Sequence, residues 1–169
     1  MAFEIRKLTA DDGPAWWRLR LEALTMDPDA FGESAEDHAA TPVESPSALF
    51  AAPLPGCFVL GAFCSGALIG TVGFFRQQRR KSWHKGRIWA VYVTPGFRGQ
   101  GLARMLLAAL IRQAQSDGVE QILLSVNVQR QAACRLYLSA GFERIGHEAR
   151  ALQVGGRYID EDYFMLRLG

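Results

Sequence analysis

The spacing of hydrophobic residues in the first half of the chain predicts a strand, a helix and a hairpin. Residues 3–8 alternate as in a strand, and residues 14–24 follow a helical period. The helix side that faces the core is predicted to carry Trp17, Leu21 and Leu24. Residues 57–63 and 68–76 are expected to pair as a hairpin, and two glycines in its second strand, Gly70 and Gly73, indicate a bulge or a close backbone neighbour.

Residues 26–55, between this helix and the hairpin, are irregular. Ser34 is placed to cap a short helix, and another brief helix is expected at residues 47–51 in a proline-rich stretch. We predict that this segment lines a substrate cleft, since binding residues are often carried on irregular segments that a rigid scaffold positions.

The second half of the chain predicts a strand, a glycine-rich turn, a helix and another strand. Residues 88–93 form an apolar run rich in β-branched and aromatic residues, which predicts a buried strand that residues 94–96 (Thr-Pro-Gly) terminate. The helix that follows ends near Asp117-Gly118. Its apolar stripe consists of Leu102, Leu106 and Leu110, with Ala103, Leu107 and Ala114 beside them. Residues 121–126 then form a strand that a right-handed crossover makes parallel to the first.

The remaining elements complete an α/β chain. A helix is predicted at residues 131–139, and two closing strands at 142–150 and 158–168 are separated by Gly155-Gly156. With 169 residues, of which 49% are hydrophobic, the chain fits a single domain, 1–169, around one core.

Composition narrows the choice of partners and sites. The formal charge of +2 gives no strong field for nucleic acid or membrane, and no apolar run approaches the roughly 20 residues that span a bilayer. Three cysteines without C-x-x-C spacing and three scattered histidines predict neither a disulfide framework nor a metal site. We therefore expect a reduced, metal-free cytoplasmic protein. Residues 76–87 are densely basic, which we interpret as a solvated loop between strands, with recognition of an acidic substrate or RNA as the alternative.

The turn at residues 98–103, Arg-Gly-Gln-Gly-Leu-Ala, is suited to bind phosphate. Its glycines allow close backbone approach, and the first amides of the next helix lack partners and carry the positive end of its dipole. A P-loop would require Gly-Lys-Ser/Thr, and a dinucleotide fingerprint would require a third glycine where Arg104 stands. The pattern R-x-x-G-x-A after Val93-Thr94-Pro95 instead resembles motif A of the GNAT superfamily of N-acetyltransferases, in which loop amides hold the pyrophosphate of acetyl-coenzyme A.

A second stretch supports this resemblance. The superfamily segment N-x-x-A-x-x-L-Y-x-x-x-G-F is matched in register by Ala133, Leu136, Tyr137, Gly141 and Phe142. Arg130 stands where the asparagine is usual, and an arginine there would meet a coenzyme phosphate instead of making an amide contact. Residues 156–168 also look like the last strand of small-molecule or peptide acetyltransferases of this type.

The resemblance implies a GNAT fold: a mixed, twisted sheet of six or seven strands flanked by helices, with two central parallel strands splayed to admit the coenzyme. Strand backbone around Val91 and Val93 would pair with the pantetheine, and the side chains of Arg98 or Arg104 would be free to bind the diphosphate. The residues predicted to bind acetyl-CoA are Val91, Tyr92, Val93, Arg98, Gly99, Gln100, Gly101, Leu102, Ala103, Arg104 and Arg130.

The implied reaction moves the acetyl group of acetyl-CoA to a primary amine by direct attack. Tyr137 is the predicted general acid, because a phenol with a pKa of about 10 is protonated at neutral pH and can protonate a leaving thiolate. Many relatives carry a glutamate base on the strand that ends at Val93, but residues 87–90 contain no carboxylate. A water chain or a distant carboxylate must then act, and the candidates are Glu33, Glu148 and Asp160. Trp89 and Tyr92 are candidates to shape the acceptor pocket.

Three interpretations stay open at this stage. The acceptor is a small molecule or peptide, or it is a protein N-terminus or lysine reached with the help of the basic loop. The third is a non-catalytic acyl-CoA-binding sensor, which Arg130 and the missing strand carboxylate favour. The acyl-chain preference and the oligomeric state, including a homodimer, are also open.

Overall fold

A computed structural model describes residues 2–169, which form a mixed, open seven-stranded sheet flanked by helices. The strands are β1 (Glu4–Lys7), β2 (Phe58–Cys64), β3 (Ala67–Arg76), β4 (Lys85–Val93), β5 (Gln121–Asn127), β6 (Glu143–Val154) and β7 (Arg157–Arg167). The helices are α1 (Gly13–Met26), α2 (Ala35–Ala39), α3 (Ser45–Ala51), α4 (Leu102–Ser116) and α5 (Gln131–Ser139). No helix within the described range is long and apolar enough to cross a membrane.

The strand order is β1-β2-β3-β4-β5-β7-β6, and only the central pair β4–β5 is parallel. This pair is joined at three positions, Lys85, Gly86 and Arg87 of β4, opposite residues 121–123 of β5. Residues 88–93 of β4 have no partner on the β5 side within the described chain, so the two strands separate toward their carboxyl ends. The predicted splay of two central parallel strands is confirmed.

A bulge lies in β4 where it leaves β5. The β3–β4 register shifts between Thr71 and Gly73, and Ala90 adopts a left-handed φ of 53°. The strand β3 needs a glycine opposite the bulge, because a Cβ on Gly73 would lie 2.4 Å from Cε2 of Trp89. Bulges bend a strand and increase its twist. The β2–β3 register also shifts beside Gly70, and a Cβ on Gly70 would lie 3.2 Å from the carbonyl oxygen of Tyr92. The sequence prediction of a bulge or a close backbone neighbour therefore holds at Gly70, whereas the close neighbour of Gly73 is the side chain of Trp89.

Helices cover the two faces of the sheet. Alternate residues of β2 belong to different clusters: Leu60 packs with α4 residues, whereas Val59 packs with Trp16 of α1 and Phe50 of α3. The α4 stripe is buried largely as predicted. Its buried residues are Leu102, Leu106, Leu107, Leu110 and Ala114.

The predicted core side of α1 is wrong by one position at its start. Trp16, rather than Trp17, is buried, and its indole nitrogen donates to the hydroxyl of Thr71 at 3.0 Å. Trp17 is half-buried and donates to Thr41 instead, also at 3.0 Å. The local sequence pattern cannot distinguish between two adjacent tryptophans. The hydrogen bond to the buried hydroxyl of Thr71 is what favours burial of Trp16. The buried residues of the helix include Leu19, Arg20, Ala23 and Leu24.

The basic run at residues 76–87 contains one cation with a structural role. Arg76 is buried and donates to the carbonyl oxygens of Trp83 at 2.8 Å and Asp117 at 2.7 Å. Its guanidinium also lies over the Trp83 ring. Arg76 thus ties the β3–β4 connection to the end of α4, and the loop that follows it is exposed.

Candidate active site

A cavity of about 700 Å³ opens where β4 and β5 separate. Its walls come from these strands, the glycine turn before α4, the start of α5 and the segment after α1. Tyr137 and Trp89 line it, and Gln100 is the one predicted cofactor residue that does not. The predicted residues in its wall are Val91, Tyr92, Val93, Arg98, Gly99, Gly101, Leu102, Ala103, Arg104 and Arg130.

The glycine turn presents a row of unpaired amides. Gly99 and Gly101 have φ values of 77° and 79°, which favour glycine, and a Cβ at either position would meet no atom within 4 Å. The space above them is therefore open. The six consecutive amides of residues 99–104 donate to no backbone acceptor within residues 2–169. Because these amides open a 15-residue helix, the turn has the geometry and the partial charge to bind a phosphate group.

The Arg98 side chain is not free, in contrast to the sequence expectation. Its Nε donates to the carbonyl oxygen of Val93 at 2.8 Å, and its Nη2 donates to Oδ2 of Asp27 at 2.7 Å. Arg104 is exposed and makes one long contact of 3.5 Å, to the hydroxyl of Ser139. Arg104 is thus the arginine of the turn that is available to an incoming anion.

Arg130 is also engaged by carboxylates. Its Nη1 donates to Oδ1 of Asp27 at 2.8 Å, and its Nη2 donates to Asp29. Burial acts to raise the pKa of Asp27, but Arg130 and Arg98 outweigh it and hold that pKa below its usual value. Asn127 donates to the carbonyl oxygen of Asp29 at 3.1 Å. The segment after α1 is thereby fastened to the ends of both splayed strands, and contact of Arg130 with a coenzyme phosphate stays a prediction.

Tyr137 combines burial with access to the cavity. It is 5% exposed, and its ring contacts Phe142 and Phe164 at centroid distances of 5.8 and 6.4 Å. Burial raises the pKa of the phenol above its ordinary value, so the hydroxyl is protonated throughout the neutral range. No hydrogen bond within the described chain engages the Tyr137 hydroxyl. A proton donor is therefore held at the cavity wall.

The carboxylates suggested from the sequence as bases do not line the cavity. Glu33 pairs with Arg20, Glu148 accepts from Tyr163, and Asp160 lies 3.3 Å from His147. Glu161 lines the cavity and is in no ion pair within the described residues, while Asp27, the other carboxylate in the wall, is held by two arginines. Successive strand residues point to opposite faces of a sheet. Had the face of β7 that meets the cavity been known, this alternation would have selected Glu161.

Two arginines in the cavity wall, Arg20 and Arg87, were also missed by the sequence reasoning. Arg20 lies on the buried side of α1, which was predicted one position away, and Arg87 precedes the residues of β4 that the motif covers. No group of three or more His, Cys, Asp or Glu side chains within the described residues is placed to hold a metal ion.

An open sheet whose one parallel pair splays beside a glycine turn with unpaired amides is the arrangement expected of an acyltransferase of the α/β class. The chain belongs to the acetyltransferase (GNAT) family, whose model matches residues 16–142. Among curated relatives, it is 34% identical over 97 residues to N-alpha-acetyltransferase RimI of Mycobacterium tuberculosis, covering 57% of this chain and 59% of that protein. It is 37% identical over 82 residues to the L-amino acid N-acyltransferase MnaT of Escherichia coli, covering 47% of this chain and 46% of that protein. The chain thus spans roughly half the length of these two relatives.

Solved structures share the fold over nearly the whole chain. A GNAT-family acetyltransferase from Streptococcus pneumoniae superposes with a TM-score of 0.89 at 23% identity, covering 99% of this chain and 100% of that one. The putative acetyltransferase yncA from Salmonella typhimurium, solved with acetyl-CoA, superposes with a TM-score of 0.87 at 24% identity, covering 100% and 95%. The predicted GNAT fold is confirmed.

Proposed function

We propose that this protein transfers the acetyl group of acetyl-CoA to a primary amine by direct attack. The observation that carries the proposal is the row of unpaired amides at residues 99–104, which opens onto the cleft between β4 and β5. A diphosphate fits the row, and an extended pantetheine fits the free edge of β4. Membership of the acetyltransferase family supports the choice of donor.

The residues present would hold acetyl-CoA in a defined orientation. The amides of residues 99–104 and the side chain of Arg104 bind the diphosphate, and the backbone at Val91 and Val93 pairs with the pantetheine amides. When bound, the coenzyme supplies an activated thioester. A β4 amide beside the bulge at Ala90 stabilises the negative charge that develops on the carbonyl oxygen.

Two side chains of the cavity handle the protons. Tyr137 donates from its hydroxyl to the departing sulfur, which its place in the cavity wall supports. Burial raises the pKa of this phenol, which keeps the hydroxyl protonated at neutral pH. Glu161 takes the proton of the attacking amine, directly or through water, because it is the cavity-lining carboxylate without an ion pair in the described chain. This assignment replaces Glu33, Glu148 and Asp160.

The named relatives support an amine acceptor. MnaT of Escherichia coli is named as an L-amino acid N-acyltransferase, and a Salmonella typhimurium relative, 37% identical over 82 residues, as an L-methionine sulfoximine/L-methionine sulfone acetyltransferase. RimI is named as an N-alpha-acetyltransferase. A small-molecule acceptor is our first choice, and a protein N-terminus or lysine the second. A cytoplasmic location and a single domain over residues 1–169 remain proposals.

Calorimetric titration with coenzyme A tests the donor site. We expect heat of association with the wild type and a loss of at least ten-fold in affinity for Gly101→Glu, which brings a negative charge to the amide row. Gly118→Glu is the matched control, since Gly118 has a φ of 73° and lies outside the cavity. Absence of heat with the wild type, or equal losses in both variants, would overturn the proposal.

A turnover assay distinguishes an acetyltransferase from a non-catalytic acyl-CoA-binding sensor. Acetyl-CoA is incubated with a panel of primary amines, and release of free thiol is followed over time. Steady release that requires an amine supports the acetyltransferase. Binding of coenzyme A without release from any acceptor would favour the non-catalytic sensor instead.

A further inference from the structure

Arg20 places a buried guanidinium in the cavity wall. The side chain is 8% exposed, its Nε donates to Oε2 of Glu33 at 3.0 Å, and its Cζ lies 4.7 Å from the ring centroid of Phe31. Its Nη1 is buried and has no hydrogen-bond partner within residues 2–169. Burial lowers the pKa of Arg20, and Glu33 offsets this only in part. A buried cation with an unpaired nitrogen is costly unless an anion approaches it.

Glu33 is shared between Arg20 and His38. Its Oε2 accepts from Nε of Arg20 at 3.0 Å, and its Oε1 lies 3.2 Å from Nδ1 of His38. The Nε2 of His38 lies 3.0 Å from the carbonyl oxygen of Trp17. Glu33 therefore meets the guanidinium at its Nε alone, and Nη1 of Arg20 is left without a partner within the described residues.

Arg87 adds a second positive charge to the same cavity. It lies on β4 where the pairing with β5 stops, and it forms no ion pair within the described residues. At about 3.3 Å per residue it is roughly 20 Å along the strand from Val93, which adjoins the glycine turn. Of the other lining cations, Arg98 and Arg130 are paired with Asp27 and Asp29, and Arg104 lies at the glycine turn. Away from the turn, Arg87 is in no ion pair within the described residues, and Arg20 has Glu33 on its Nε alone.

We infer that the amine acceptor carries a carboxylate, which binds to Arg20 with electrostatic support from Arg87. This inference rests on the proposed function and names the substrate class of the same site. A planar guanidinium matches a carboxylate, with two nitrogens facing two oxygens. Glu161, in the same wall, is the counterpart for the amino group. The two signs of charge suit a zwitterion, and both a free amino acid and the acidic side chain of a short peptide supply that chemistry.

Paired acceptors test the inference without altering the protein. Initial rates of thiol release are compared for L-amino acids, for their primary amides, and for amidated dipeptides whose second residue is acidic or neutral. We expect a KM for the amides at least ten-fold above that of the parent amino acids. A preference for the acidic dipeptide over both would identify the side chain as the carboxylate source. Equal KM values for acids and amides would overturn the inference and leave the proposed function standing, whereas no release with any amine would contradict both.

Substitution of Arg20 tests whether the carboxylate of the acceptor binds to this residue. Arg20→Gln is expected to raise the KM of the preferred carboxylate acceptor at least ten-fold, to leave the KM of acetyl-CoA unchanged, and to abolish the discrimination against amides. Arg18→Gln is the matched control, because Arg18 lies exposed on the same helix. If Arg20→Gln does not fold, Arg87→Gln provides the same comparison, with a smaller increase in KM.

A binding measurement independent of turnover completes the test. With coenzyme A present at saturation, the preferred amino acid is expected to raise the Tm of the wild type, and its amide is not. Arg18→Gln should show the same shift as the wild type, and the cavity variant that folds should show less. Equal stabilisation by acid and amide would overturn the inference.

Discussion

The carboxylate of Asp27 and the guanidinium of Arg98 are joined by a 2.7 Å hydrogen bond across 71 positions of sequence. Asp27 follows α1 and Arg98 begins the glycine turn, so the bond links the wall of the cavity to its proposed phosphate end. Arg130, which follows the carboxyl end of β5, donates to the other oxygen of Asp27. One carboxylate thus connects three segments whose positions define the width of the cleft.

Asp27→Asn removes the charge from this link, and we expect the free energy of unfolding to fall by about 1–3 kcal/mol, as for charged hydrogen bonds elsewhere. The Asp27 pKa is lowered in the folded state, so its contribution is present above the unfolded value of about 3.9 and disappears as pH falls through the folded value. Urea denaturation at pH 7 measures the loss of unfolding free energy, and the same measurement at acid pH tests how that loss depends on pH. Asp37→Asn, on the exposed first turn of α2, is the control. A loss for Asp27→Asn no larger than that of the control would disprove the link.

Tyr137→Phe removes a hydroxyl and keeps the packed ring. If the hydroxyl protonates the leaving sulfur, turnover should fall ten-fold or more while the affinity for acetyl-CoA changes little. Steady-state thiol release and calorimetry measure the two effects separately. Tyr158→Phe, at a residue that is 54% exposed, should leave both unchanged. Undiminished turnover in Tyr137→Phe would remove this residue from the mechanism.

Glu161→Gln tests the proton acceptor through its dependence on pH. Near pH 7 most acceptor amines are protonated, so we expect a loss of at least ten-fold in kcat/KM. The loss should shrink as pH approaches the pKa of the acceptor amine, because an amine that is already neutral needs no base. Glu143→Gln, exposed on β6, is the control. A loss that stays constant across pH would show that Glu161 has a positional role instead.

The centre of the fold was predictable because its signals are local. An apolar run stopped by Pro95, glycines at Gly99 and Gly101, and the helical repeat of α4 each depend on neighbours within a few positions. The parallel order of β4 and β5 then follows from crossover handedness. The rotation of α1 depends instead on a bond between Trp16 and Thr71, 55 positions apart, and no local period contains it.

The cavity wall was predictable at its proposed cofactor end and not at its proposed acceptor end. The glycine turn marks the former, whereas Arg20 stands between two leucines and Glu161 between two aspartates, with no motif around either residue. Their entry into the cavity depends on how α1 rotates and on which face of β7 meets the cleft. The pairing of Arg98 with Asp27 is likewise a tertiary contact, which a local sequence motif cannot predict.

Gly73→Ala tests the bulge that opens the cleft. The new Cβ would lie 2.4 Å from Cε2 and 2.5 Å from Nε1 of Trp89, so the indole must move from the cavity wall. We expect a loss of about 1–3 kcal/mol in unfolding free energy, typical of overpacking, together with a shift in tryptophan fluorescence. Gly146→Ala is the matched strand control, because its nearest neighbour is 4.0 Å away at Cβ of Tyr163. Urea denaturation and emission spectra compare the two. Equal stabilities with an unshifted spectrum would mean that β4 accommodates a Cβ at position 73 of β3, and that the position of Trp89 does not depend on Gly73.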